Sequence, residues 1–80
     1  MSKSVYEATV RVLFESGAGK DITIYHPQER RERWAIFFKV GDEKFVVASN
    51  REDVRTWASL NSAVRWLKGF GISEAVLEIT

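Results

Sequence analysis

The residues that come closest to catalytic or ligand-binding motifs are a glycine-rich run, one histidine and two carboxylate pairs. The glycine-rich run, residues 16–21, contains Gly19-Lys20, as a phosphate-binding Walker loop does. Such a loop also needs an earlier glycine and a Ser or Thr after the lysine, whereas this sequence has Phe14 and Asp21 at those positions. A strand pattern rather than a helix pattern follows the run. We therefore predict a hairpin turn here and not a phosphate-binding loop.

The other candidates do not form a catalytic pattern either. His26 is the only histidine and stands beside the only proline, which is typical of a solvent-facing turn. Asp42-Glu43 and Glu52-Asp53 are adjacent pairs in predicted tight turns, whereas general acid–base catalysis needs carboxyl groups that converge across a cleft. The chain has no cysteine, which excludes disulfides, thiolate nucleophiles and cysteine zinc sites. We predict no catalytic residue, no metal site, no cofactor and no enzymatic activity.

Charged residues are unevenly distributed, although the chain of 80 residues has a formal net charge of only +1. Residues 30–68 hold nine basic and five acidic side chains, whereas the other residues hold three basic and six acidic ones. Guanidinium groups bind phosphate and flat rings stack on unpaired bases, so arginines beside aromatic residues are typical of nucleic-acid-binding surfaces. Each tryptophan has an arginine close by in sequence, at Arg33-Trp34, Arg55-Thr56-Trp57 and Arg65-Trp66.

Nucleic acid, single- or double-stranded, is therefore the first partner that the sequence suggests. The predicted contact residues are seven of the nine basic side chains in residues 30–68 and one tryptophan: Arg30, Arg31, Arg33, Arg51, Arg55, Arg65, Trp66 and Lys68. An ordinary solvated loop is the alternative for residues 30–33, because the small net charge falls far below that of a dedicated nucleic-acid binder. Trp34 is in phase with Ile36 and Phe38, so we expect it in the core.

Period-two alternation predicts most of the elements that position these residues. Residues 5–15 alternate throughout and predict a long half-buried strand, which residues 22–25 complete as a hairpin. Residues 34–40 and 45–48 predict a second hairpin with its turn at Gly41-Asp42-Glu43. A short additional strand is expected at residues 54–57.

One helix is expected after these strands. Ser59 is suited to cap it, apolar residues recur at helical spacing from Leu60 to Phe70, and Gly71 suits the left-handed position beyond its end. Residues 75–79 predict a last strand. The expected fold is α+β, an antiparallel sheet of about five to six strands with one helix on one face, in the order β-β-β-β-(β)-α-β.

The sheet face away from the helix suggests a second function, a homodimeric protein-interaction module that uses this face or an edge strand. Mixed apolar and charged residues on such a face are either ordinary surface or a patch that binds a partner. The candidate interface residues are Val5, Leu13, Phe37 and Val46. A third hypothesis is a small-molecule site in a pocket lined by Trp57, Trp66 or Phe70.

Composition supplies the remaining expectations. Hydrophobic residues make up 45% of the chain, which is enough for a folded core, and the length allows one domain, residues 1–80. No apolar run reaches the ~18 residues of a membrane span, and the first residues lack the apolar segment of a signal peptide. We therefore expect a cytoplasmic protein with no membrane partner, similar in size and plainness to small bacterial accessory proteins.

Overall fold

The computed structural model describes residues 3–79, which form five strands and two helices. In chain order these are β1 (Lys3–Val5), α1 (Glu7–Glu15), β2 (Lys20–Tyr25), β3 (Ala35–Val40), β4 (Glu43–Val47), α2 (Leu60–Lys68) and β5 (Val76–Leu77). The strands make one sheet with the order β1-β4-β3-β2-β5. The α+β class is confirmed, whereas the expectation of a purely antiparallel sheet with one helix is only partly met.

The main departure is α1, which replaces the long strand predicted at residues 5–15. Val10 and Phe14 are four residues apart, a spacing that places them on one face of a strand and equally on one face of a helix. Leu13 distinguishes the helix from the strand, because it packs against the same core as Val10 and Phe14. Adjacent residues such as Leu13 and Phe14 can share one face of a helix but lie on opposite faces of a strand. Residues 16–19 consequently connect α1 to β2, and the glycine-rich run does not form a hairpin turn.

The two helices also explain why the sheet is mixed. The inner strands β2, β3 and β4 pair antiparallel, and β3 and β4 form the second of the two predicted hairpins. The edge strands pair parallel, β1 with β4 and β5 with β2. A helix that crosses the sheet returns the chain to the end it left, so the strands before and after it run in the same direction.

Both helices pack on one face of the sheet. The core joins Val10 and Phe14 of α1 to Ala63 and Leu67 of α2 through the inward-facing residues of the sheet. Phe38 and Ile36 of β3 are fully buried at its centre. The expected core position of Trp34 is confirmed in part, because Trp34 is half-buried and packs against this cluster.

The end signals predicted for α2 are confirmed. The Ser59 hydroxyl accepts a hydrogen bond from the Ser62 amide at 3.1 Å. Gly71 has a φ of +79°, a conformation that glycine adopts without steric cost. The Gly71 amide donates to the Lys68 carbonyl at 3.0 Å and the Ile72 amide to the Leu67 carbonyl at 3.3 Å, which satisfies the carbonyls of the last two helical residues.

The strand expected at residues 54–57 is reduced to one bridge. Trp57 pairs with Trp34, and each tryptophan amide donates to the carbonyl of the other at 2.8–2.9 Å. The rest of this segment belongs to the connection between β4 and α2. Neither helix within residues 3–79 has the length and apolar character that a membrane span requires.

Candidate functional site

The face of the sheet opposite the helices is its open face. The strand registers place eight side chains of the three inner strands on this face: Lys20, Thr23, Tyr25, Ala35, Phe37, Lys39, Lys44 and Val46. The short side chains among them are buried, Tyr25 and Phe37 are half-buried, and the lysines are exposed. No helix in the described part of the chain packs against it.

Three lysines form a row across the open face. Lys39 of β3 is the cross-strand partner of Lys44 on one side and of Lys20 on the other. No carboxylate within residues 3–79 lies at ion-pair distance from any of the three. Like charges directly opposite each other weaken a sheet, so this row costs stability and attracts an anion.

A bulge in β2 creates the row. Between Lys20 and Thr23 the register against β3 shifts by one residue, and Asp21 adopts a φ of +51° there. The extra residue turns Lys20 toward Lys39 and leaves Ile22 in the core. Without the bulge, Asp21 would be the partner of Lys39 and would neutralise it.

Two aromatic rings lie on the open face, Phe37 next to the lysine row and Tyr25 farther along the strands. Phe37 and Tyr25 meet edge to face, with ring centroids 5.3 Å apart. The Lys44 ammonium lies over the Phe37 ring, with Nζ 4.0 Å from the centroid. Aromatic rings next to cations on an uncovered sheet supply both stacking surfaces and phosphate-binding groups.

Tyr25 lies at the other end of the open face from the lysines. Burial of its hydroxyl raises the pKa of Tyr25, and the negative charge of Glu78 raises that pKa further. The phenol therefore stays neutral at physiological pH and can both donate and accept a hydrogen bond. Tyr25 also lines a groove with His26, Gln28, Arg31 and Ile79.

Three of the contact residues predicted from sequence are occupied by internal contacts. Arg33 donates to the Thr56 hydroxyl at 2.6 Å and to the Thr56 carbonyl at 3.2 Å. Arg55 and the Trp66 indole both donate to one oxygen of Glu7, each at 3.1 Å. These groups join loops and helices, and the structure does not place them on the open face.

Glu7 is the centre of that second group of contacts. The hydrogen bond from the Trp66 indole, followed by that from Arg55, lowers the pKa of the Glu7 carboxyl. Arg55 also lies over the rings of Trp57 and Trp66, at 4.9 and 5.5 Å from their centroids. The arrangement ties the first turn of α1 to α2 and is explained by the packing of the two helices.

The other predicted contact residues are exposed and do not form one basic surface. Arg30 is paired with Glu32 at 3.4 Å and lines a groove together with Glu52 and Asp53. Arg51 lies in the connection after β4, whereas Arg65 and Lys68 lie on α2. Arg31 alone lines a groove with a residue of the open face.

The residues expected at a homodimer interface are divided between two sides of the sheet. Phe37 and Val46 are cross-strand partners on the open face, although Val46 is buried there. Val5 and Leu13 instead pack against the core on the helix side, so their predicted position on the second face is wrong. Val5 pairs with the fully buried Val47, and Leu13 belongs to α1 and not to a strand.

The aromatic residues of the third hypothesis, Trp57, Trp66 and Phe70, pack against one another. The Trp66 ring lies 5.1 Å from Trp57 and 4.7 Å from Phe70, measured between centroids. A separate apolar groove lies between α2 and β5, where Val64 and Leu67 face Leu77. Within the described residues no group of histidine, aspartate and glutamate side chains is arranged to hold a metal ion.

Sequence reasoning missed Lys20 and Lys44 as partners of Lys39, and Tyr25 as a partner of Phe37. The signal was present for β3, because its alternation separates Phe37 and Lys39 from Ile36 and Phe38. The register of the neighbouring strands was required to place the residues of β2 and β4.

No family model, curated protein or solved structure matches this chain.

Proposed function

We propose that this protein is a non-enzymatic module that binds single-stranded nucleic acid on the open face of its sheet. The observation that carries the proposal is that the unpaired row of Lys20, Lys39 and Lys44 shares the open face with the rings of Phe37 and Tyr25. Lysines bind backbone phosphates without regard to sequence, and exposed rings stack on unpaired bases. A duplex offers its phosphates but not its base faces, so the aromatic pair favours single strands.

The dimensions of the face suit this ligand. Adjacent strands are about 4.8 Å apart, so the lysine row spans about 10 Å across the sheet. Tyr25 pairs with Ala35, which is four residues from Lys39 along β3. At about 3.3 Å per residue, Tyr25 therefore lies about 13 Å along the strands from the lysine row. A short stretch of single strand can therefore place phosphates at the lysines while its bases reach the rings.

A homodimer through the open face is less favourable than nucleic acid. The two copies would bury three unpaired ammonium groups each, and burying an unpaired charge costs several kcal/mol, about 2–5 for a group left without its partner. Phosphate oxygens would pair with the same ammonium groups. The charge of the face therefore favours a polyanion over a second copy of this chain.

The test is a binding titration with labelled oligonucleotides of about a dozen nucleotides, as DNA, as RNA and as duplex, at about 50 mM salt. We expect single strands to bind more tightly than the duplex, with an affinity that falls as salt rises. The triple variant Lys20→Gln/Lys39→Gln/Lys44→Gln should lower the log–log salt slope by about 2, at ~0.7 per phosphate.

A charge-matched control separates this surface from the one predicted by sequence. The variant Arg51→Gln/Arg65→Gln/Lys68→Gln removes three exposed positive charges outside the open face and should retain most of the affinity. Thermal melting of both variants checks that they fold. Absence of binding to every oligonucleotide, or equal loss in both variants, would refute the proposal. The proposal would also be refuted if light scattering showed a stable dimer whose dissociation constant is changed by the lysine variant.

A further inference from the structure

The groove beside Tyr25 has the chemistry of a base-binding subsite. It is lined by Tyr25, His26, Gln28, Arg31 and Ile79 and has a volume of about 520 Å³. The groove opens at the end of the face away from the lysine row, so a single strand bound along the inner strands would lead into it. The Tyr25 ring and the exposed Ile79 side chain offer apolar walls for a flat base.

The polar groups of the groove are mainly donors. The Arg31 guanidinium carries only donors, and no carboxylate within residues 3–79 forms an ion pair with it. His26 is held in place, because its ring packs against the Trp34 ring with centroids 3.7 Å apart and its Nδ1 donates to the Arg33 carbonyl at 2.8 Å. The Gln28 amide, which is exposed, adds one acceptor and two donors.

Resting on the proposed function, we infer that this groove holds one unpaired guanine and that Arg31 is its reader. Guanine presents two adjacent acceptors, N7 and O6, to which the guanidinium fork donates two parallel hydrogen bonds. Adenine presents one acceptor and one donor on the same edge and does not satisfy Arg31 in this way, whereas an unpaired cytosine can offer its adjacent N3 and O2 acceptors to the fork. The lysine row supplies affinity and the groove supplies a sequence preference.

The experiment compares thymidine oligonucleotides of about a dozen residues that carry one central guanosine, adenosine or cytidine, or none. We expect the guanosine oligonucleotide to bind about tenfold more tightly than the adenosine and thymidine-only oligonucleotides. Tighter binding of the cytidine oligonucleotide than of the guanosine one would refute the assignment to guanine. Replacement of that guanosine by 7-deazaguanosine, which lacks the N7 acceptor, should remove most of the preference. The same series in RNA shows whether the preference depends on the sugar.

Two variants distinguish a base contact from a phosphate contact at this position. Arg31→Gln should abolish the preference for guanosine and leave the affinity for the thymidine-only oligonucleotide within about twofold. Arg30→Gln is the matched control, since Arg30 is the neighbouring arginine, pairs with Glu32 and does not line this groove. It should change neither quantity.

The outcomes separate the two proposals. If all oligonucleotides bind alike, the base-binding subsite is refuted while the binding function stands. If Arg31→Gln weakens every oligonucleotide equally and lowers the salt slope by about 0.7, Arg31 contacts phosphate and the subsite is again refuted. If no oligonucleotide binds, the proposed function itself is refuted.

Discussion

The Lys44 ammonium lies over the Phe37 ring, 4.0 Å from its centroid, and occupies the position that a stacking base would take. A base can reach Phe37 only if this ammonium moves aside. The lysine stem is long and flexible, and the side chain is exposed, so it can turn from the ring to a phosphate of the same nucleotide. Binding would thus exchange a cation–π contact for an ion pair and a base stack.

The variant Lys44→Met tests this exchange, because methionine retains an apolar stem over the ring and removes the charge. The free energy of unfolding should change by less than about 1 kcal/mol, since an exposed cation–π contact contributes ~0.5–1 and repulsion from Lys39 is relieved. The salt slope for single-stranded DNA should fall by about 0.7. An unchanged slope would show that Lys44 does not contact phosphate.

Substitutions of Phe37 distinguish the contribution of base stacking from that of charge. Phe37→Leu should weaken single-strand binding by about 1–3 kcal/mol, the range observed for one base stacked on an aromatic ring. Because no charge is altered, the salt slope should stay the same. Phe37→Tyr, which retains a flat ring, is the control and should bind like the unaltered protein. Equal weakening in both variants would indicate a folding defect and not a lost stack.

The first segment of the chain shows why sequence patterns alone misassign α1. The apolar residues of residues 5–15 satisfy a period of two, and their β-branched valines favour strands. In the helix, the side chain of Val12 is 63% exposed. A strand with the predicted alternation would have placed it on the same face as Val10 and Phe14, so the helix forgoes the burial of one valine. Burial of Leu13 beside Val10 and Phe14 outweighs it, because tertiary packing overrides weak local propensity.

The open face was predictable in part. Alternation places Phe37 and Lys39 on the face opposite Ile36 and Phe38, and the structure agrees. The lysine row depends on a bulge at Asp21, which no local pattern specifies because register is set by pairing across strands. Arg33 was predicted as a nucleic-acid contact for a similar reason. The sequence does not show long-range contacts such as that of Arg33 with Thr56, which occupies the guanidinium.

Glu7 provides a stability prediction on the other side of the molecule. Glu7→Gln removes the charge that accepts hydrogen bonds from Trp66 and Arg55, and should lower the free energy of unfolding at neutral pH by about 1 kcal/mol. The exposure of Glu7 keeps this value small, because solvent screens the charge. Glu15→Gln on the same helix is the control and should have almost no effect. Chemical denaturation measures both.

The Glu7 carboxyl also predicts a dependence on pH. Its pKa is lowered in the folded protein, so its stabilisation is complete above the unfolded value of about 4.5 and is lost as the pH falls through the folded pKa. The unaltered protein should lose more stability in this acidic range than Glu7→Gln does. Parallel pH curves for the two proteins would contradict the assignment.

Gly19 lies against the ring of Phe14, and this contact predicts a steric clash. A Cβ at position 19 would stand 2.7 Å from Phe14 Cδ1, closer than real Cβ contacts allow. Gly19→Ala should therefore destabilise the fold by about 1–3 kcal/mol, as overpacking does. Combining it with Phe14→Leu should cost less than the sum of the single changes, as a double-mutant cycle measured by denaturation would show. Strict additivity would rule out the clash.

Ionisation of Tyr25 should lower the stability of the folded protein at alkaline pH. The pKa of Tyr25 is raised chiefly by burial and further by Glu78, so the neutral phenol stabilises the fold fully below the unfolded value of about 10. That contribution is lost as the pH rises through the folded pKa. In a Tyr6→Phe background, where Tyr25 is the only tyrosine, ultraviolet absorbance reports its ionisation directly. Glu78→Gln should lower the pKa of Tyr25 without returning it to the usual value, because burial remains. An unchanged pKa in this variant would show that Glu78 does not act on the phenol.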